Sequence, residues 1–328
     1  MAEGRVREKI ITDFLINTCQ PCHVKRQKND DALFAWLYCA HIASLADNDP
    51  DDYIPLSTGS VAEFDIQPML SCIGDIDIMY YRNTHLAIPA GSNPPTELPA
   101  EFANRVLVLE IIDSEFPGYV YLESSYLMKE DINGKYMYIA ELWQRKYLSY
   151  DLAGEDMHGP AYLSIGRHSL CSTGVFCLAG SHCPVEYVAC MRCLSWPSQA
   201  ADWPARKRNY SWPESATVDH VVSDGCDVVH VAHRLCRDDK WMGHRQHRLS
   251  FSRAEVALLN TWSPFRQIVY HVLRVFVKTN QLTESADNPG AGTLSNYHIK
   301  TLMMWASEVK PITWWVKIST LSESVSNC

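Results

Sequence analysis

Two aspartates separated by one apolar residue, Asp75 and Asp77 in the stretch "IGDIDIM", have the spacing of a metal-binding pair. In a β-strand, alternate side chains share a face and their Cα atoms lie roughly 6.5–7 Å apart. Two carboxylates that close repel one another unless a cation lies between them, and their hard oxygen atoms suit Mg²⁺ or Mn²⁺. The pair therefore predicts a metal site at a sheet surface, with Ile76 and Ile78 facing the core.

Two other motifs would complete a site for phosphate chemistry. Gly59 and Ser60 precede the aspartates, and such a turn can hold a phosphate with backbone N–H groups and a hydroxyl. Two-metal catalysis normally needs a third carboxylate from another strand, and Glu186 in the apolar run "PVEYVACMRC" is the candidate. Each motif is common by itself, however, and a strand glutamate is more often an edge residue that faces water, so this alternative stays open.

The cysteines give a second candidate metal site. Twelve cysteines scattered through apolar segments indicate reduced thiols rather than a disulfide framework. Cys190 and Cys193 could form a zinc site with His233 and Cys236, but Cys190 lies inside an apolar strand-like run. We therefore interpret these thiols as core residues.

Composition limits the class of protein. A chain of 328 residues with 47 % apolar composition can bury a large core, and its length favours two lobes. The formal net charge of -9 argues against a surface covered with nucleic-acid-binding residues, although local basic patches remain. The charged N-terminus lacks an apolar signal region, and no run of about 18 apolar residues could span a bilayer, so we expect a cytoplasmic protein.

Hydrophobic periodicity indicates the elements that must position these residues. Two helices open the chain, and strands follow in the Asp-Ile-Asp run and in "RVLVLEII", "GYVYLESSYLM" and "KYMYIAELW", with turns at Pro117-Gly118 and Asn133-Gly134. Three helices are predicted beyond Trp212: one in "SFSRAEVALLN", one from Ser263 through Lys278, and one in "GAGTLSNYHIKTLMMWASEV". This order predicts an α+β fold with an antiparallel or mixed sheet.

The long helix has a predicted apolar stripe at helical spacing. Its members are Phe265, Ile268, Val269, Val272, Leu273 and Phe276.

The chain resembles the cyclic GMP-AMP synthase-like receptors, in the nucleotidyltransferase family named after the male-abnormal (Mab) developmental proteins. The resemblance runs from the N-terminal helices to about Trp315, through the motifs "GSVAE", "DIDIM", "VEYVACMRCLSWPSQAADWPARKRNYSWP", "HRLSFSRAEVALLN" and "NYHIKTLMMWA". It implies a bilobal α+β nucleotidyltransferase fold. Residues 1–212 would form a mixed-sheet catalytic core with N-terminal helices, and residues 213–328 a helical lobe truncated at its C-terminus.

The resemblance also implies roles for individual residues. Asp75, Asp77 and Glu186 match the acidic triad that binds Mg²⁺ or Mn²⁺ and carries catalysis, although many relatives have aspartate as the third acid. Gly59 and Ser60 match the phosphate-binding turn.

Three further residues match nucleotide contacts of that family. Arg248 matches an arginine that lies against a nucleobase, and Tyr297 matches a tyrosine that stacks on a base, for which ring and guanidinium planes are suited. His271 falls near a lysine that contacts the triphosphate, and a neutral histidine would hold phosphate more weakly. Asn296 stands where a serine is usual beside the tyrosine.

The implied activity is that of an innate immune pattern-recognition receptor. Such an enzyme joins two nucleoside triphosphates, drawn from ATP, GTP or pyrimidine triphosphates, into a cyclic dinucleotide with release of pyrophosphate. The product would act on a STING-type receptor. The region between Asn260 and Phe265 is short and has no His/Cys cluster, so the zinc thumb of the vertebrate DNA sensor is missing. Basic residues at Lys25, Arg26 and Lys28 instead favour double-stranded RNA as the activator, with a contribution from the run at 206–208.

Two other classes of function stay open at this point. The chain could be a catalytically silent Mab-type scaffold or developmental protein that keeps the fold, although such a protein has no need for three acids in one cleft. It could also be a nucleic-acid sensor whose RNA affinity is its main property, which strong salt dependence of binding would identify.

Overall fold

A computed structural model describes residues 53–58, 63, 76–141, 185–210, 212–236, 239, 241–279 and 294–315. For Asp77 and Glu186 it describes the backbone only. The two predicted N-terminal helices lie outside these residues. Also outside them are Gly59, Ser60, Asp75, Lys25, Arg26 and Lys28.

One mixed sheet of nine strands forms the centre of the described part of the chain. The strands are β1 (Tyr53–Thr58), β2 (Ile76–Arg82), β3 (His85–Pro89), β4 (Arg105–Asp113), β5 (Tyr119–Glu130), β6 (Tyr136–Glu141), β7 (Val185–Cys193), β8 (Cys226–Val229) and β9 (Gln246–Ser250). Their order is β1-β2-β7-β3-β4-β5-β9-β8, with β6 against β5 and a further pairing of β7 with β8. The pairs β2–β7, β3–β4 and β3–β7 are parallel and the others antiparallel, so the predicted mixed sheet is confirmed.

The hairpins form where the turn residues predict them. Gly118 (φ +79°) joins β4 to β5, and Gly134 (φ +77°) joins β5 to β6. Residues with a side chain rarely adopt such angles, so glycine fits here. The Asp131 carboxylate also accepts hydrogen bonds from the backbone N–H groups of Asn133 and Lys135, both at 2.8 Å, which fixes the second turn.

Six of the strands close into a ring, because β8 pairs with both β9 and β7. Each of these six strands contributes apolar side chains to one buried cluster, which comprises Ala87, Leu109, Ile111, Val120, Leu122, Met191, Cys193, Cys226, Val228 and Leu249. The alternate residues form a second cluster, which includes Met79, Tyr81, Leu86, Val106, Val108, Met128, Cys190 and Val229. Both faces of the sheet are therefore buried over much of its area.

Helices lie both between β7 and β8 and after β9, so the predicted order of a sheet followed by helices is wrong in part, because β8 and β9 lie beyond Trp212. The helices are α1 (Asp202–Ala205), α2 (Ser215–Asp224), α3 (Ser252–Leu259), α4 (Pro264–Thr279) and α5 (Asn296–Val309). Helices α3, α4 and α5 match the three predicted helices, and residues from all three, with Trp262 and Trp315, pack in one apolar cluster. The structure is thus α+β.

The predicted stripe of α4 is wrong in part. Phe276 is 54 % exposed, whereas Arg266, Tyr270 and Arg274 are buried. The arginines can be buried because their guanidinium groups lie over aromatic rings: Arg266 over Trp315 at 5.1 Å, and Arg274 over Tyr270 at 5.4 Å.

Candidate active site

The backbone register aligns two of the three predicted acids. Strands β2 and β7 run parallel, and Asp77 is the register partner of Glu186. Strand β1 extends the same row, with Thr58 opposite Asp77. Partners in neighbouring strands lie about 5 Å apart and fall on the same face of a sheet. Three positions on three strands therefore form one continuous row, and Asp75 lies outside the described residues.

The apolar residues of β2 and β7 explain this register. Met79 pairs with Val188, and Tyr81 pairs with Cys190, on the face that alternation assigns to Asp77 and Glu186. Met79 and Tyr81 are only 3 % and 2 % exposed. A slip of one residue would move these side chains to the opposite face, so burial fixes the pairing. By alternation, Asp77 and Glu186 therefore share a sheet face with the buried core residues Met79 and Tyr81. They do not lie on the opposite face.

Arg248 belongs to the same face but to a different row. It lies exposed on β9 opposite Val229 of β8, which in turn pairs with Cys190 of β7. Cys190 is four residues from Glu186 on one strand, and two strand spacings separate β7 from β9. The Cα atoms of Glu186 and Arg248 are then roughly 16 Å apart by strand geometry.

Tyr297 lies in the first turn of α5 and its ring is 61 % exposed. A capping box fixes this turn: the Ser295 hydroxyl accepts a hydrogen bond from the His298 N–H at 3.3 Å, and His298 Nδ1 accepts one from the Ser295 N–H at 3.0 Å. The ring therefore projects from a well-anchored helix terminus, as a stacking residue requires.

His271 is the predicted site residue that its environment supports least. It lies on α4, is 1 % exposed, and its Nε2 atom has no hydrogen-bond partner among the described residues. Burial lowers its pKa to about 4, and the nearby positive charge of Arg274 contributes. The imidazole is therefore neutral at pH 7 and lacks the charge that a triphosphate contact would use.

An ion-pair network that the sequence did not predict joins helices α3, α4 and α5 to Glu63. The Lys300 Nζ of α5 lies 2.5 Å from Glu63 Oε1 and 2.7 Å from Glu255 Oε2 of α3. The Tyr270 hydroxyl of α4 donates to Glu63 Oε2 at 3.1 Å. Glu63 and Lys300 both stand in motifs that carried the family resemblance, "GSVAE" and "NYHIKT", but their spacing in the sequence gives no sign that they meet.

A second buried network supports the far end of β7. Arg192 pairs with Asp224 at 2.8 Å and donates to the Cys226 carbonyl at 2.9 Å. Arg253 of α3 reaches Asp227 at 3.2 Å, and its guanidinium lies 5.8 Å from the Tyr81 ring centre. Burial raises the pKa of Asp227, although both arginines oppose that effect. These contacts join β7, β8 and α3 at the end of β7 away from Glu186, and we assign them a structural role.

The described part of the predicted basic patch is largely committed to internal contacts. Arg206 and Arg208 both form ion pairs with Glu308, at 2.9 Å and 3.1 Å. Their guanidinium groups also lie over Trp305 and Trp203. Of the run at 206–208, Lys207 has the freer charge, so this segment offers phosphate less than the sequence suggests.

The considered zinc site is not formed. Among the residues that the structure describes, no group of three or more His, Cys, Asp or Glu side chains is arranged to hold a metal. Cys190 is buried and donates to the Tyr80 carbonyl, while His233 stacks on Phe116 with ring centres 4.0 Å apart. The thiols of Cys190, Cys193 and Cys236 are buried core groups, as the apolar pattern predicts.

Comparison with known proteins finds a similarity for part of the chain. Residues 166–261 match the model of the Mab-21 protein nucleotidyltransferase domain. This segment includes strands β7, β8 and β9, and therefore Glu186 and Arg248, but not Asp77 or Tyr297. A search of curated proteins finds no match. No helix in the described part of the chain has the length and apolar composition to cross a membrane.

Proposed function

We propose that the chain is a Mab-21-type nucleotidyltransferase that converts two nucleoside triphosphates into a cyclic dinucleotide and pyrophosphate. The observation that carries this proposal is the register of Asp77 with Glu186, because it aligns two acids from segments far apart in the sequence. One of them lies within the residues that match a nucleotidyltransferase domain. Two unrelated acids on solvated strand edges would not be expected to align in one row, on a face that is buried further along β2 and β7.

The donor set fits a divalent metal. The two registered positions are about one strand spacing apart, and Asp75 is two residues from Asp77 on the same chain. Carboxylate oxygens are the ligands that Mg²⁺ and Mn²⁺ prefer, so these three acids would hold the metal. When bound, the metal supplies positive charge that offsets the charge of the triphosphate and of the attacking oxygen.

The remaining residues would bind and orient the substrates. Gly59 and Ser60 would hold the triphosphate through N–H groups and a hydroxyl. Arg248 and Tyr297 present an exposed guanidinium and an exposed ring, each able to lie against a base. The estimated separation of Arg248 from the acidic row is one that an extended nucleotide can span. His271, on α4, would contact the triphosphate only as a neutral imidazole, without a positive charge.

The larger assignments follow from the same proposal. Residues 1–212 would supply most of the catalytic lobe and 213–328 the helical lobe of a bilobal enzyme, although strands β8 and β9 belong to the central sheet. It would act in the cytoplasm as an innate immune receptor, with double-stranded RNA as activator and a STING-type receptor as the target of its product. We base these assignments on the family resemblance.

Product formation by the purified full-length chain tests the proposal. The chain is incubated with all four nucleoside triphosphates and Mn²⁺ or Mg²⁺, with and without duplex RNA, and the products are separated by chromatography. We expect a cyclic dinucleotide and pyrophosphate. The double variant Asp75→Asn/Asp77→Asn should be folded and inactive, because it removes two metal-binding charges.

Two results would contradict the proposal. Activity in the double variant would show that these aspartates do not carry the reaction. A folded wild-type chain that neither binds triphosphates nor forms product would favour the scaffold instead.

A further inference from the structure

The strongest unassigned feature is the network of Glu63, Glu255, Tyr270 and Lys300. It joins helices α3, α4 and α5 to a residue that precedes β2 in the chain. Both oxygens of the Glu63 carboxylate are used, one by Lys300 and the other by Tyr270. The network is therefore a single node where four separate segments meet.

Two of these four segments, helix α5 and the segment that contains Glu63, also carry a proposed nucleotide-binding residue. Tyr297 lies three residues before Lys300 on α5, a spacing that makes them neighbours on a helix surface. Ser60 lies three residues before Glu63, which limits their separation to about 10 Å of extended chain.

The two other helices connect to the site in the same way. Helix α3, which carries Glu255, begins four residues after Arg248. On α4, His271 directly follows Tyr270. Each member of the node therefore lies within seven residues, along the chain, of a proposed nucleotide contact without being one itself.

We propose that Lys300 is a positioning residue of the nucleotide site, which holds the first turn of α5 and the segment at Glu63 in fixed relation through its two carboxylate partners. This inference rests on the proposed nucleotidyltransferase function. Lys300 acts through Tyr297 on the same helix, and it does not contact the nucleotide itself.

The electrostatics of the node make it sensitive to the loss of one member. The side chains of Lys300 and Glu63 are 13 % and 3 % exposed. Burial alone would lower the pKa of Lys300, but the carboxylates of Glu255 and Glu63 outweigh it and raise the pKa, so the ammonium group stays charged. Removal of that charge would leave two carboxylates facing each other with little solvent, and the segments would separate.

Three variants test the positioning role. Lys300→Met removes the charge at nearly constant length, and Lys300→Arg keeps a charge that can bridge two carboxylates. Lys310→Met is the matched control, since Lys310 is exposed just beyond the same helix and lies over the Trp314 ring. Synthesis rates are measured against triphosphate concentration and corrected for the folded fraction.

We expect kcat/KM of Lys300→Met to fall by about 100-fold, mostly through a higher KM for triphosphate, as for a displacement of binding groups by about 1 Å. Lys300→Arg should recover most of the loss, and Lys310→Met should equal the wild type. A purely structural role would lower the folded fraction without changing KM.

The outcomes separate this inference from the proposed function. An active wild type with kcat/KM of folded Lys300→Met within about three-fold overturns the positioning role alone. A wild type that neither binds nor converts triphosphates overturns the proposed function and this inference with it. If Lys300→Met does not fold, the double variant Glu63→Gln/Lys300→Met removes both charges together, and the same change in KM is expected.

Discussion

Glu186 is longer by one methylene group than the aspartate that is usual at this position in the family that the chain resembles. Its backbone is held opposite Asp77 by the pairing of β2 with β7. Because neighbouring strands fix the Cα separation, the carboxylate can adjust only through its own side-chain torsions. The geometry of the proposed metal site therefore depends on this extra methylene.

Substitution at Glu186 tests whether it is a metal ligand. Glu186→Gln should lower kcat/KM by about three orders of magnitude with little change in thermal stability, because a neutral amide replaces a metal-binding charge. Glu186→Asp should keep or improve the activity. Rates of synthesis are measured with saturating Mn²⁺, and Glu123→Gln, at another strand glutamate, is the control. Wild-type rates in Glu186→Gln would show that the residue is a strand acid without a catalytic role.

Element packing places strong limits on the junction of α2 and β8. Gly225 ends α2 with φ +74°, and a Cβ atom there would lie 2.3 Å from the Cys193 carbonyl oxygen of β7. The same junction carries the Arg192–Asp224 ion pair. The end of α2, the start of β8 and the ion pair therefore pack so closely around Gly225 that this position cannot accept a side chain.

Gly225→Ala tests this limit against a matched glycine. Gly91 has nearly the same angle, φ +72°, but a Cβ there would have nothing within 4 Å. We expect Gly91→Ala to cost about 1 kcal/mol in the free energy of unfolding, from backbone strain alone. Gly225→Ala should cost at least about 3 kcal/mol, because β7 must also move. Urea unfolding of both variants measures the difference, and equal costs would contradict the close contact.

At the scale of the whole molecule, buried histidines couple the fold to pH. Burial lowers the pKa of His85 to about 4, of His247 to about 3 and of His271 to about 4. Below the ordinary histidine pKa of about 6.5, the unfolded chain binds protons that the native chain excludes. Each of these histidines therefore lowers the stability as the pH falls from about 6.5 towards its native pKa.

The contribution of His271 can be isolated with one substitution. Between pH 7.5 and pH 5, it should reduce the free energy of unfolding by about 2 kcal/mol. His271→Gln cannot titrate and should lose that part of the pH dependence. Urea unfolding of both proteins at the two pH values gives the difference. An identical pH dependence would mean that the pKa of His271 is not lowered in the native protein.

Activation belongs to the whole molecule as well, because a long duplex contacts a surface rather than a residue. Arg206 and Arg208 are paired with Glu308, so the proposed RNA contact depends mainly on the N-terminal basic residues. Backbone phosphates and 2′-hydroxyls would supply the attraction, which makes it tolerant of sequence and sensitive to salt.

Charge reversal tests the proposed RNA patch. Replacement of Lys25, Arg26 and Lys28 by glutamate should remove stimulation by double-stranded RNA but leave basal synthesis in Mn²⁺. The control reverses three exposed charges around β4, β5 and β6, at Arg105, Lys129 and Lys135, and should keep the stimulation. Unchanged stimulation of the first variant, or equal stimulation by DNA, would contradict the proposed patch or its selectivity.

The sequence by itself determined the local elements. Three local signals each act over a few residues and can be read without knowledge of distant segments: the alternation of β4 and β5, the glycines of their turns, and the serine before α4 with the proline at its first position. The acids were likewise identified as candidates from residue type and spacing, whereas Arg248 and Tyr297 came from the family resemblance.

Only the tertiary structure decided which of these segments meet. The register of Asp77 with Glu186, the ring of strands closed by β8 and the contact of Lys300 with Glu63 all join residues far apart in the sequence. The burial of α4 is decided in the same way, because the ring of Trp315 covers Arg266 while Phe276 stays exposed. Periodicity indicates only which residues share a face of the helix. What packs against each face is decided by the rest of the chain.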